Sequence, residues 1–321
     1  MYRIGCKNSK IYSLTGQFHG KLSRLPIGFR NFELIINVDY SGITIYNRKL
    51  SMESQHSPAL SHFSDLTLLA IYAAQTAGNV LRTGFGSAFT ISSKSERHDL
   101  VTDYDYRSEQ AIISTIKATY PHHRFLAEES GATQDSSDES SVRWIIDPLD
   151  GTVNFAHTVP VFSVSIAAEV DGELFCGVIY QPMLDELFIA EKGKGAWLNG
   201  QQINVSATSK LSDSFLVTGF PYIVAENPSN CIDHFSRFLQ LGIPIRRLGS
   251  AALDLAYTAA GRFDAFWEVS LSPWDVAAGI LLVREAGGKV RDYSGEEYVM
   301  GNGPIIASNG LFDQEIVDVL R

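Results

Sequence analysis

Asp147 and Asp150 stand three positions apart in "WIIDPLDGTVNF", where an apolar run ends at a proline and then a glycine. Two carboxylates held that close repel each other unless a cation lies between them. Similar acidic spots recur where an apolar segment ends or a helix begins: Asp105, the pair Glu128 and Glu129, and Asp275. Hard divalent cations such as magnesium take oxygen ligands of this kind. Each spot also has a plainer reading. Asp105 and Asp275 read equally as helix N-caps, Asp147-Pro148 and Asp150-Gly151 as turns, and Glu128-Glu129 as a solvated strand end. Together they suggest a polynuclear magnesium site. Gly151 and Thr152 add backbone N–H groups that can approach an oxyanion, so metal and phosphate chemistry meet in one stretch.

Loops can bring such groups together only on a scaffold, and the chain shows one. "SDLTLLAIYAAQTAGNVLRTGFG" spaces Leu66, Leu69, Ala73, Ala77 and Leu81 on one helical face, with Ser64 as N-cap and a stop near Gly84 and Gly86. A second helix fits "YRSEQAIISTIKATY", ended by Pro121, with Asp105 at its entrance. Strands follow in "RFLAEE", "VRWIID", "FSVSIAAEV", "ELFCGVIYQ" and "ELFIAEK", and Asn199-Gly200 marks a hairpin. Helices are expected in "CIDHFSRFLQLG", "SAALDLAYTAAGR", "DVAAGILLVREAGG" and "DQEIVDVLR", and strands in "DAFWEV", "KVRDY" and "PIIAS". The order implies layered α and β structure and excludes a plain Rossmann repeat.

The chain has 321 residues, room for a substantial core. Acidic residues outnumber basic ones 36 to 26, a formal charge of −10 that disfavours a nucleic-acid backbone as direct partner. No apolar run approaches the ~18 residues of a membrane helix. Cys6, Cys176 and Cys231 lack disulfide or zinc spacing and read as reduced thiols of a cytoplasmic protein. His122, His123, His157 and His234 show no ligand spacing, and no GxSxG elbow accompanies Ser250 or Ser272. Residues 1–51 form a basic leader, with Arg3, Lys7, Lys10, Lys21, Arg24 and Arg30 preceding the first acid, Glu33; the catalytic domain is expected over 52–321.

"FLAEES", "WIIDPLDGTVNF" and "WDVAAG", in that order and preceded by "DLVTDYD", resemble the inositol monophosphatase family of magnesium-dependent, lithium-sensitive phosphatases. The resemblance implies an α+β fold, a layered αβαβα sandwich with mixed, largely antiparallel sheets, a homodimer, and two or three Mg2+ ions. By resemblance, Glu128, Asp147 and the carbonyl of Leu149 hold the first ion, Asp147, Asp150 and Asp275 the second, and Glu128 a third. Thr152 and Asp105 position the attacking water beside Glu128, while Glu129 and Lys94 support the site. Asp150, Gly151, Thr152, Gly249, Ser250, Ala251, Glu268 and Asp275 would contact substrate. The implied substrate is a phosphate monoester, inositol 1-phosphate first, with fructose 1,6-bisphosphate or dual specificity as the alternative. A second alternative is a regulatory protein that keeps the fold and works by binding other proteins, as some bacterial relatives do in ribosomal RNA transcription.

Overall fold

The structure is a computed structural model describing residues 34–39, 42–47, 60–93, 100–132, 140–301 and 303–321. The chain divides into two units between His62 and Phe63. In the first, strands β1 (Leu34–Asp39) and β2 (Gly42–Asn47) pair antiparallel from Leu34↔Asn47 to Asp39↔Gly42. The leader's basic composition does not anticipate this hairpin, but "LIINVD" and "GITIYN" are rich in β-branched residues, which favour extended backbone.

The second unit opens with α1 (Asp65–Gly84), the short antiparallel pair β3 (Ile91–Ser93) and β4 (Leu100–Thr102), and α2 (Asp103–Lys117). Ser64 caps α1, its side chain accepting from the Thr67 N–H, as its position predicts. Next come β5 (Arg124–Ala127), β6 (Gly131–Ala132), β7 (Val142–Asp150), α3 (Thr152–Ala156), β8 (Ser163–Val170), β9 (Glu173–Gln181), β10 (Glu186–Glu191), β11 (Ala196–Leu198) and β12 (Gln201–Ile203). These strands form an eight-stranded sheet in the order β12-β11-β10-β9-β8-β7-β5-β6. Only β5 and β7 pair in parallel; the other ladders of this sheet are antiparallel. The Asn199-Gly200 turn joins β11 to β12, with Leu198 opposite Gln201.

The rest is β13 (Leu216–Thr218), α4 (Cys231–Gln240), β14 (Ile245–Arg246), α5 (Ala251–Ala259), β15 (Ala265–Glu268), α6 (Pro273–Glu285), β16 (Lys289–Arg291), β17 (Ile305–Ser308) and α7 (Asp313–Leu320). Its five strands form a mixed sheet ordered β14-β13-β15-β17-β16. Helices α1 and α2 pack together on one face of the large sheet, and α6 covers the other face against β7 to β10. Covered on both sides, β8 buries seven consecutive residues, the pattern of an interior strand.

Helices α5 and α6 form the central layer and also reach the five-stranded sheet. Beyond that sheet, Phe238 of α4 and Ile316, Val317 and Leu320 of α7 share a core with Leu216, Trp267 and Ile306. The order is therefore α, β, α, β, α, the expected sandwich with mixed, largely antiparallel sheets. Among the described residues no helix is long and apolar enough to cross a membrane. Cys176 and Cys231 are buried free thiols, and burial pushes the Cys176 thiol up to about 12.

Candidate active site

The parallel pairing of β5 with β7 places their C-terminal ends side by side, with Ala127 opposite Ile146. Glu128 follows β5 directly, and its N–H donates to the Ile146 carbonyl at 3.2 Å, so it stands beside Asp147. At the end of β7 the register to β8 shifts between Asp147 and Asp150. Pro148 has no N–H to give the ladder, which is consistent with a bulge there. The Leu149 N–H turns back to Asp147 Oδ1 at 3.0 Å. Gly151 then takes φ 96°, and a Cβ there would meet the carbonyl oxygens of Val161 and Gly249 at 3.0 and 3.2 Å. Both conformation and space call for glycine at this corner.

Helices enter the same region by their first turns. Thr102, not Asp105, is the N-cap of α2; Asp105 is the third helical residue and closes a capping box. The Thr102 N–H and hydroxyl reach Asp105 Oδ2 at 2.8 and 2.6 Å. The Thr152 hydroxyl lies 2.8 Å from Asp105 Oδ1 and 3.0 Å from the Leu149 carbonyl. Likewise Ser272, not Asp275, is the N-cap of α6, and its N–H donates to Asp275 Oδ2 at 2.7 Å. The cap is the plainer of the two sequence readings for each acid, and aspartate suits both the N-cap and the third helical position; only the backbone distinguishes them.

Asp150 is tied to the start of α5. Its Oδ2 accepts from the Ser250 hydroxyl at 2.6 Å and the Ala252 N–H at 2.8 Å. Ser250, expected at the substrate, is 1% exposed; its hydroxyl donates to Asp150 and accepts from the Leu253 N–H as the cap of α5. The Asn154 side-chain amide donates to the carbonyls of Val161 and Leu248, at 2.7 and 2.8 Å, and so fixes the turn at Gly249 and Ala251.

Electrostatics show which acids converge. Burial, then Glu128, Asp150 and Asp275, hold the Asp147 carboxyl well above the usual carboxylate range. Burial raises Asp150 to about 6 against the hydrogen bonds from Ser250 and Ala252, with Glu128 adding to the rise. Asp105 is raised to about 6 by burial, and Glu128 adds to that. Glu268, at the end of β15, rises to about 8 through burial and then the charge of Asp275. Three elements, the end of β5, β7 and the first turn of α6, thus bring Glu128, Asp150 and Asp275 into repulsion with Asp147. Among the described residues no three His, Cys, Asp or Glu side chains already close on one point at ligand spacing. The donors are nevertheless all carboxyl oxygens, buried at Asp147 and Asp150 and half-buried at Glu128 and Asp275, a set suited to magnesium.

Glu129 sits with Glu128 in the turn after β5, and its N–H donates to Glu109 Oε2 at 2.9 Å. Lys94 and Cys6 lie outside the described residues. Two buried acids next to the site, Glu109 and Asp254, escaped sequence reading. Glu109 braces the Glu128–Glu129 turn from α2. Asp254 in α5 is 1% exposed, its Oδ1 has no hydrogen-bond partner, and burial followed by Glu268 and Asp150 holds it well above the carboxylate range. In "SAALDLAY" the helical signal comes from the apolar residues, and a charge among them reads as the solvated face. His123 is structural: its Nδ1 accepts from the Trp144 indole at 3.0 Å.

Known proteins resemble this chain over most of its length. The model of the inositol monophosphatase family matches residues 63–321. A Mesorhizobium japonicum protein named inositol-1-monophosphatase is 40% identical over 259 residues, 80% of this chain and 97% of that one. The Escherichia coli protein named Nus factor SuhB is 43% identical over 242 residues, 75% of this chain and 90% of its own. Among solved structures, the extragenic suppressor protein SuhB of Bartonella henselae superposes with a TM-score of 0.75 at 40% identity, covering 80% of this chain and 99% of that one. The inositol monophosphatase of Anabaena gives 0.70 at 41% identity, covering 79% and 94%. On that match and those identities, this chain belongs to the inositol monophosphatase family.

Proposed function

We propose that the protein is a magnesium-dependent phosphomonoesterase acting on inositol 1-phosphate. The observation that carries this reading is that Glu128, Asp150 and Asp275, from the end of β5, from β7 and from α6, all bear on Asp147. These four carboxylates with the Leu149 carbonyl are the residues that would hold two or three Mg2+ ions. Magnesium bound there supplies Lewis acidity, which makes water a nucleophile near neutral pH and shields the charge of the departing alkoxide. The chain does the positioning. Asp105 fixes the Thr152 hydroxyl, so Thr152 can orient the attacking water and relay its proton toward the Asp105 carboxylate. The Thr152 N–H opens α3 with no intrahelical acceptor, and with the Gly151 N–H it can bind phosphate oxygens.

Glu268 and the Gly249–Ala251 turn face the alcohol part of the substrate in this reading. A buried carboxylate at that place accepts hydrogen bonds from ring hydroxyls and penalises an alcohol that offers none. Glu129 and, in this proposal, Lys94 support the site. A lithium-sensitive cytoplasmic homodimer completes the proposal. The name of the Mesorhizobium relative supports the substrate. The test is phosphate release from inositol 1-phosphate, fructose 1,6-bisphosphate, histidinol phosphate and adenosine 3',5'-bisphosphate, with magnesium and with EDTA. Inositol 1-phosphate is expected to be turned over fastest, and only with magnesium; turnover indifferent to the chelator overturns the reading.

Relatives named Nus factor SuhB support a second reading, a protein-binding role beside catalysis. Retention of Glu128, Asp147, Asp150, Thr152 and Asp275 together favours catalysis, since a purely regulatory role places no demand on this set.

A further inference from the structure

Gly219 follows β13, and Thr218 pairs with Trp267 of the parallel strand β15. Gly219 and Glu268 are therefore the next residues along two neighbouring strands. A Cβ on Gly219 would lie 2.6 Å from Glu268 Cδ and 2.9 Å from Oε1, with Oε2 nearer still, and all three of its nearest atoms belong to Glu268. The Gly219 backbone is not in the left-handed region, so conformation alone does not demand glycine here. Space does, and the group that fills it is the Glu268 carboxylate.

That carboxylate has little freedom to go elsewhere. Glu268 is 6% exposed; the charges of Asp275 and Asp150 repel it and that of Arg247 attracts it. Behind it Asp254 is buried in α5 with an unpartnered oxygen, and it feels Glu268 more strongly than any other charge. From the other side the Thr218 hydroxyl holds the strand pair by donating to the Trp267 carbonyl at 2.7 Å.

We infer that Gly219 is a positioning residue for substrate choice: its missing side chain is the space that holds the Glu268 carboxylate in place, and a Cβ there displaces that carboxylate from the polyol. The inference rests on the proposed role of Glu268 at the substrate's hydroxyls. It goes beyond that role in naming what fixes the carboxylate.

The test uses the full chain with magnesium and two substrates, inositol 1-phosphate and p-nitrophenyl phosphate, which lacks a polyol. The readout is the ratio of their kcat/KM values. Gly219→Ala is expected to lower the ratio by about tenfold, mainly through KM for inositol 1-phosphate, the scale of one misplaced polar contact. In a Glu268→Asp background the carboxylate is one methylene shorter, and the same substitution is expected to change the ratio less than about twofold. An equal loss in both backgrounds overturns the inference. If Glu268→Gln lowers the ratio and Gly219→Ala does not, the inference fails while the role of Glu268 stands. If Glu268→Gln leaves the ratio unchanged, that role falls and the inference with it. Should Gly219→Ala not fold, the Gly219→Ala/Glu268→Asp double variant decides: a soluble protein with native circular dichroism supports the steric contact, and an insoluble one overturns it.

Discussion

The Thr152 hydroxyl lies 2.8 Å from Asp105 Oδ1, linking the first turn of α3 to the first turn of α2 across 47 positions of sequence. Thr152→Val removes this donor while keeping the shape. Turnover is expected to fall at least about a hundredfold, the scale of a lost proton-transfer partner. Thr152→Ser, which keeps the hydroxyl, should retain most of it. Steady-state kinetics on the two variants decides this, and equal losses would show that packing and not the hydroxyl matters.

Asp147 is buried among like charges that hold its carboxyl well above the usual range. Asp147→Asn removes that repulsion and can still accept from the Leu149 N–H. In EDTA the variant is expected to melt no lower than the parent protein. With magnesium the parent should gain about 2–4 kcal/mol at saturating concentrations, and the variant much less. Thermal melts at a series of magnesium concentrations test this.

Glu191 anchors the start of α1, accepting from the N–H and hydroxyl of Ser64, each at 2.8 Å, and from the Thr67 hydroxyl, with Lys194 at 2.5 Å. Burial pushes its pKa up, but the hydrogen bonds from Lys194, Thr67 and Ser64 prevail and hold it below the usual glutamate value. A depressed folded-state pKa contributes stability above the unfolded pKa, and that stability is lost as pH falls through the folded value. Glu191→Gln is expected to cost about 1–3 kcal/mol at pH 7. The difference between the two proteins should shrink in acid, as urea unfolding at pH 7 and pH 4 would reveal.

At Gly177 in β9 a Cβ would sit 2.8 Å from the Ala278 carbonyl oxygen and 2.9 Å from its Cα. Backbone meets backbone here between β9 and α6, with no flexible side chain to yield. Gly177→Ala is expected to destabilise by about 1–3 kcal/mol, the usual cost of overpacking. A denaturation midpoint unchanged in that variant would refute the close contact.

A polypeptide beginning at Met52 is expected to fold and to retain phosphatase turnover, because the family match begins at residue 63. Circular dichroism and the magnesium assay are the checks; an insoluble or inactive product would place part of the leader in the working fold.

Sequence showed the acids of the site more readily than their supports. Asp147, Asp150 and Asp275 stand out because each interrupts an apolar segment, and strands such as Glu173–Gln181 coincide with their hydrophobic runs. The caps Thr102 and Ser272 were hidden because threonine, serine and aspartate three positions apart can all serve as caps. Asp254 and Glu109 were hidden for another reason, since burial of a charge depends on the neighbouring layer and not on the helix that carries it. The small residues of "WDVAAG" mixed two signals: Asp275 faces the acids, whereas Ala278 and Gly279 admit Gly177 and Leu255 at close range.

The bond from Ser250 to Asp150 crosses from the end of the large sheet to the start of α5, which leans on the small sheet. Glu128, Asp147 and Asp150 come from the large sheet, Asp275 from the central helix α6 and Glu268 from the small sheet. No single layer carries all five carboxylates, so the proposed activity depends on the stacking of all three. A nick or a partial melting that parts these layers is expected to abolish the proposed turnover even with every carboxylate intact.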